Sequence, residues 1–124
     1  MKLHEMFRDW EETEEYKARA VIFSEREPAD VMYIVISGDV ELTLLDEPLG
    51  MESAGGMIGE MALIHPAGIR SATATTITKV KLARLDRDQF RALVSENTEF
   101  AFHVMAVLAN RLIVANTYIS RQMK

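Results

Sequence analysis

Gly59 to Thr73 reads GEMALIHPAGIRSAT, and this stretch organises the reading of the whole chain. It opens with Gly59-Glu60 and an apolar run, turns through His65-Pro66-Ala67-Gly68, and closes on Arg70-Ser71-Ala72-Thr73. A glycine tolerates backbone conformations closed to other residues and lets a ligand approach the main chain. Consecutive N–H groups at a turn or helix start form a concave anion site, and Glu60 to Leu63 suit such a short helix. Arg70 offers a planar fork for two parallel charge-assisted hydrogen bonds to a phosphate, which lysine does not reproduce. An ionised Glu60 only accepts hydrogen bonds, so it suits a hydroxyl and not a phosphate. An ordinary Glu60–Arg70 salt bridge across a strand turn is the plainer alternative.

The flanking sequence describes a β-rich body. Ala20 to Phe23 reads as a first strand, and Ser24 to Asp30, holding Pro28, as a turn region. Val31 to Ile36 is uniformly apolar, as a buried strand is. After Gly38 the pattern alternates, with Val40, Leu42 and Leu44 apolar and Asp39, Glu41 and Thr43 polar, which predicts a strand with one wet face. Asp46-Glu47-Pro48 is expected to turn it, Leu49 to Met51 to form a short strand, and Ser53 to Gly56 a tight loop. Ser71 to Leu85 is again strand-like. Short strands at regular spacing predict a sandwich, jelly roll or barrel.

Helices are expected at both ends. Leu3 to about Tyr16 reads as a short acidic amphipathic segment, with Leu3, Met6, Phe7 and Trp10 on one side. Asp86 with Gln89 resembles a capping box for a helix to about Ser95. Asn97 suits the cap of a longer helix reaching Ser120 or beyond. That helix carries two apolar rows. One holds Ala101, Met105, Leu108, Leu112, Ala115 and Ile119; the other holds Phe100, Val104, Val107, Arg111, Val114 and Tyr118. Both step as a helix–helix seam does. One row is expected to meet the β body and the other a second copy of the helix. The expected division is a single domain over 1–124, with a helical segment at 1–19, the β body at 20–85 and helices at 86–124.

Composition narrows the function classes. The chain has 124 residues, 48% hydrophobic and 27% charged, enough for one core. It has no cysteine, which excludes disulfides and thiolate metal sites. A net charge of −5 argues against a broad DNA-binding surface. The charged N-terminal stretch MKLHEMFRDWEETEEYK has no signal-peptide apolar core, and no run is expected to approach the roughly 20 apolar residues of a membrane span. A cytoplasmic location follows as the expectation. His4, His65 and His103 lack metal-ligand spacing, and no catalytic triad or P-loop spacing is present, so neither an enzyme nor a metal cofactor is expected.

Gly59 to Thr73 resembles the phosphate-binding cassette of cyclic-nucleotide-binding domains, the family of the bacterial catabolite activator, kinase regulatory subunits and gated channels. The family pattern is Phe-Gly-Glu-aliphatic-Ala-Leu, a variable turn, then Arg-small-Ala-Thr. Ile58 stands where Phe is common and Ile69 where proline often precedes the arginine. Val31 to Val40 is similar to the family's strand-turn-strand signature, and the resemblance runs from about Ala20 to Tyr118. It implies a mainly β fold with flanking α elements, a double-stranded β-helix or jelly-roll β-roll with a short N-terminal helix and two C-terminal helices.

The resemblance also implies a ligand, cyclic AMP favoured over cyclic GMP. Glu60 would take the ribose 2′-hydroxyl and Arg70 the cyclic phosphate, with Ser71 and Ala72 adding an N–H or hydroxyl contact. A Ser71 hydroxyl beside the arginine keeps cyclic GMP open. Leu49, Gly50, Ile58, Gly59, Met61 and Ala62 complete the implied pocket wall. Arg111 on the long helix would reach Glu60, or else extend to solvent. Asn116 falls where relatives contact the base, and Ala115 replaces a hydroxyl residue there. Catabolite-activator relatives continue past this helix into a helix-turn-helix domain, whereas this sequence ends at Lys124. A free-standing sensor is therefore expected, one that dimerises through the long helix, signals to an unidentified effector protein, and makes no direct contact with DNA or a membrane. The alternative is a degenerate β-roll that serves as a dimerisation or scaffold module without ligand.

Overall fold

The computed structural model describes residues 2–123. Residues 2–90 form one compact unit, a jelly-roll of two four-stranded antiparallel sheets. The strands are β1 (Thr13–Tyr16), β2 (Val21–Phe23), β3 (Val31–Ser37), β4 (Val40–Leu44), β5 (Glu47–Glu52), β6 (Met57–Ile58), β7 (Thr73–Thr76) and β8 (Val80–Asp86). One sheet runs in the order β1-β8-β3-β6 and the other β2-β7-β4-β5. Consecutive strands thus alternate between sheets, except for the β4–β5 hairpin.

The inner core holds Val31, Tyr33, Val35, Val40, Leu42, Ile58, Ala74, Val80 and Leu82, with Tyr16, Ile22, Phe23 and Leu49 packed against it. β3 explains its unbroken apolar run. Val31, Tyr33 and Val35 face this core, while Met32 and Ile34, pointing the other way, are fully buried too. A one-turn helix α1 (Leu3–Met6) and the one-turn α2 (Met61–Ile64) lie on β3, and Leu3 and Phe7 are buried. Gly38 turns β3 into β4 at φ +94, and a Cβ there would collide with the Lys79 carbonyl, so only glycine fits.

Two expectations need correction. The amphipathic segment does not stay helical to Tyr16. α1 stops at Met6, and Thr13–Tyr16 pairs antiparallel with Val80–Ala83. Glu14 and Tyr16 fall on one face by the period of two, and Trp10 pins the approach by donating its indole N–H to the Arg84 carbonyl at 2.8 Å. The β4–β5 turn is also one step earlier than expected. It sits at Leu45-Asp46, with φ of +50 and +64, as a two-residue hairpin loop requires. Glu47 and Pro48 therefore belong to β5, an edge strand where a proline is tolerated.

Arg26 also lies in the left-handed region, at φ +71, in the loop between β2 and β3. Its N–H donates to the Arg70 carbonyl at 2.8 Å, and the Arg70 N–H donates to the Glu27 carbonyl at 2.9 Å. A side chain in this region costs roughly 1–2 kcal/mol, and glycine gives back part of the gain as chain entropy. Arg26→Gly is expected to stabilise the protein by about 0.5–1 kcal/mol. The urea midpoint should rise at unchanged slope; an unchanged or lower midpoint would show that the loop holds no such strain.

The remaining residues, 91–123, belong to a second compact unit that is helical. α3 (Arg87–Glu96) begins at the expected capping box: Asp86 Oδ1 accepts from the Gln89 N–H at 2.8 Å, and Gln89 Oε1 from the Asp86 N–H at 2.9 Å. α4 (Thr98–Gln122) is capped by Asn97, whose Oδ1 accepts from the Phe100 N–H at 3.0 Å. Phe100 and Val104 are buried, whereas Met105, Leu112 and Ile119 are each more than half exposed. α4 is also long and apolar enough to cross a membrane, with a mean hydropathy of 1.3 over 18 residues. This corrects the expectation that no apolar run nears a membrane span: Asn, Thr and the two arginines Arg111 and Arg121 are spread along the helix and break up its apolar positions in the sequence.

Candidate functional site

The site grows from the way Gly59 to Thr73 crosses the roll. β6 ends at Ile58, buried in the inner core, and Gly59 follows at φ +78. Glu60 starts α2 and is 1% exposed. The first N–H groups of any helix lack intrahelical acceptors. The Arg87 guanidinium donates to the Leu63 carbonyl at 3.0 Å, closing the other end of α2. His65 accepts the Ala67 N–H on Nδ1 at 3.1 Å, which makes it a turn residue. Ile69 pairs with Pro28 in a single β-bridge, and Arg70 follows.

Arg70 is 5% exposed, an unusual place for a guanidinium. Its Nη1 donates to the Gly59 carbonyl at 3.1 Å, and its charged carbon lies 4.1 Å from the Phe23 ring centroid. Burial lowers its pKa, while Tyr33, Asp30, Glu27 and Glu60, in decreasing order, favour the charged form. Arginine stays a cation throughout. A guanidinium carries five N–H donors, and the bond to Gly59 uses one of them. The site therefore presents a buried cation with donors to spare, next to a buried carboxylate and a glycine backbone. Its chemistry suits an anion that also bears hydroxyls.

The structure brings Gly59 and Arg70 into direct contact and places Ile58, Glu60, Met61 and Ala62 beside them in the chain. Ala62 is buried and Met61 exposed. Ser71 is exposed, with its hydroxyl 3.4 Å from Met61 Sδ, and Ala72 is half-buried. Leu49 packs on the inner core with Phe23, whereas Gly50 is exposed opposite Leu42. Arg111, half-buried, and Asn116, exposed, lie on α4 in the helical unit.

Sequence reasoning missed Phe23, the Arg26–Glu27 backbone and Tyr33 as neighbours of Arg70. Tyr33 stacks on Phe23 with centroids 6.4 Å apart and planes 13° apart. Its hydroxyl lies 3.5 Å from Glu14, which also accepts from Tyr16 at 2.7 Å and pairs with Arg84 at 3.6 Å. Burial and then Glu14 raise the pKa of both tyrosines. Among the described residues no group of three or more His, Cys, Asp or Glu converges to hold a metal ion.

Comparison with known proteins agrees with this geometry. Residues 13–97 match the model of the cyclic nucleotide-binding domain family. A CRP-like cAMP-activated global transcriptional regulator of Mycobacterium tuberculosis is 35% identical over 105 residues, covering 80% of this chain and 46% of the regulator. The chain thus spans about half the length of the curated relatives it matches. The catabolite activator protein of Thermus thermophilus superposes with a TM-score of 0.76 at 29% identity, covering 90% of this chain and 55% of that one. The cAMP-bound form of the EAL enzyme Bd1971 superposes at 0.63 and 29% identity, covering 90% of this chain and 32% of the enzyme, and its cGMP-bound form is similar as well. With the family model spanning the sheets and the whole Gly59–Thr73 segment, this chain belongs to the cyclic nucleotide-binding domain family, in its catabolite-activator-like branch.

Proposed function

We propose that this chain binds a cyclic mononucleotide, cyclic AMP in preference to cyclic GMP, and acts as a non-enzymatic regulatory module that reports to a separate effector protein. The observation that carries the reading is the buried Arg70 guanidinium held against the Gly59 carbonyl, with buried Glu60 next in the chain. Arg70 takes the cyclic phosphate and Glu60 the ribose 2′-hydroxyl. Backbone and side chains of Gly59, Met61, Ala62, Ser71 and Ala72 line the phosphate, and Leu49, Gly50 and Ile58 the sugar side. The resemblance alone assigns Arg111 to the Glu60 side and Asn116 to the base. The regulators among the relatives support a sensing role, and the net charge of −5 supports one without direct DNA contact.

A ligand that binds only the native state stabilises it by about 2.7 kcal/mol at a hundred times its Kd. For a domain of this size that raises Tm by about 10 °C. Thermal unfolding with cyclic AMP, cyclic GMP and a cyclic dinucleotide tests the reading. The expected order of stabilisation is cyclic AMP, then cyclic GMP, with no effect of the dinucleotide. No shift with either mononucleotide contradicts it and favours a ligand-free scaffold.

The exposed row of α4 supports a homodimer. Leu112 is 61% exposed, Ile119 53% and Met105 52%, with half-buried Leu108 and exposed Ala115 along the same row. Soluble monomers rarely keep such a contiguous apolar face. A two-fold pair of α4 helices covers it, and a ligand that shifts the helices then changes the dimer. Sedimentation across a concentration series should show a dimer that Leu112→Glu converts to monomer. A wild-type chain that stays monomeric with and without nucleotide removes the dimer.

A further inference from the structure

We propose that Phe23 is a positioning residue for the ligand: an aromatic ring at this position holds the Arg70 guanidinium in register for the phosphate. The inference rests on the reading that Arg70 takes the cyclic phosphate. Phe23 ends β2, an edge strand paired with β7. The register of that pair slips between Val21, opposite Thr75, and Phe23, opposite Ala74. A bulge of this kind re-aims a side chain. A regular strand would send Ile22 and Phe23 to opposite faces; here both pack on the inner core.

The re-aimed ring lies against the Arg70 guanidinium and close to Gly59. The Arg70 charge centre lies 4.1 Å from its centroid. Its Cε2 lies 3.3 Å from where a Cβ on Gly59 would stand. Tyr33 stacks on it, which fixes the ring from the core side. The electron-rich face of an aromatic ring offsets the burial of a cation without occupying any N–H. A carboxylate in the same place would hold Arg70 equally well, yet it would use the very donors a phosphate needs. Phe23 thus restrains the guanidinium and leaves its hydrogen-bonding edges for the ligand.

Calorimetric titration with cyclic AMP tests this on the wild type, Phe23→Leu, Phe23→Met and Phe23→Tyr, with Phe23→Leu repeated in the Arg70→Lys background. Phe23→Met keeps an apolar side chain of similar length without a ring, so it serves if the leucine variant folds poorly. The expected result is about a tenfold loss of affinity in the leucine and methionine variants, and near-parental affinity in the tyrosine variant. In the Arg70→Lys background Phe23→Leu should cost little more, because the ring acts through the guanidinium. Wild-type affinity in Phe23→Leu and Phe23→Met, or the same fold loss in both backgrounds, overturns the inference while leaving the ligand reading intact. A wild type that binds no cyclic nucleotide overturns both.

Discussion

Gly59→Ala is expected to remove most cyclic-nucleotide binding, by about a hundredfold or more, and to destabilise the fold by about 1–2 kcal/mol. Two effects act together. Gly59 sits at φ +78, where a side chain is strained. A Cβ there would also collide with Arg70 Nη1, the atom that donates to the Gly59 carbonyl. The arginine end has to move, and it is already confined by burial and by the Phe23 ring. The displaced guanidinium no longer meets the phosphate in a two-bond geometry, and each such bond contributes roughly 1.5–3 kcal/mol. Urea unfolding and calorimetry measure the two losses separately. Affinity within threefold of wild type would show that Gly59 and Arg70 do not form the phosphate site.

Arg70→Lys tests the same site from its other side. An ammonium keeps the charge but loses the planar fork. Losing one charge-assisted hydrogen bond of roughly 1.5–3 kcal/mol corresponds to about a ten- to hundredfold weaker complex. The fold should remain, because the loop contacts of this position run through its backbone, to Arg26 and Glu27. Competition with labelled cyclic AMP measures the loss. Equal affinity in Arg70→Lys would mean that the guanidinium geometry plays no part in recognition.

These residues also show how far the sequence could be read. Gly59, Glu60 and Arg70 are legible because their types and spacing state a chemical need in one contiguous segment. β3 and β4 are legible from an apolar run and a clean alternation, and α3 and α4 from caps whose hydrogen bonds the structure contains. Thr13–Tyr16 is not, since TEEY is short and charged, and its strand exists only through pairing with β8. Pro48 misled for a related reason. A proline suggests a turn, whereas the positive φ angles at Leu45 and Asp46 make the turn and leave the proline on an edge strand. Phe23 looked like any strand aromatic. Its role depends on a bulge and on a loop that meets Arg70 from more than 40 positions away in the chain, neither of which leaves a local pattern.

Everything proposed for this chain depends on the Gly59–Arg70 segment recognising a cyclic phosphate. Calorimetric titration of the wild-type chain with cyclic AMP, beside an identical titration with linear 5′-AMP, tests it most directly. Saturable binding of cyclic AMP at one site per chain is expected, displaced by cyclic GMP at higher concentration, with much weaker binding of the linear nucleotide and its extra charge. No heat and no competition with either cyclic nucleotide at high protein concentration, or equal affinity for 5′-AMP, would contradict it.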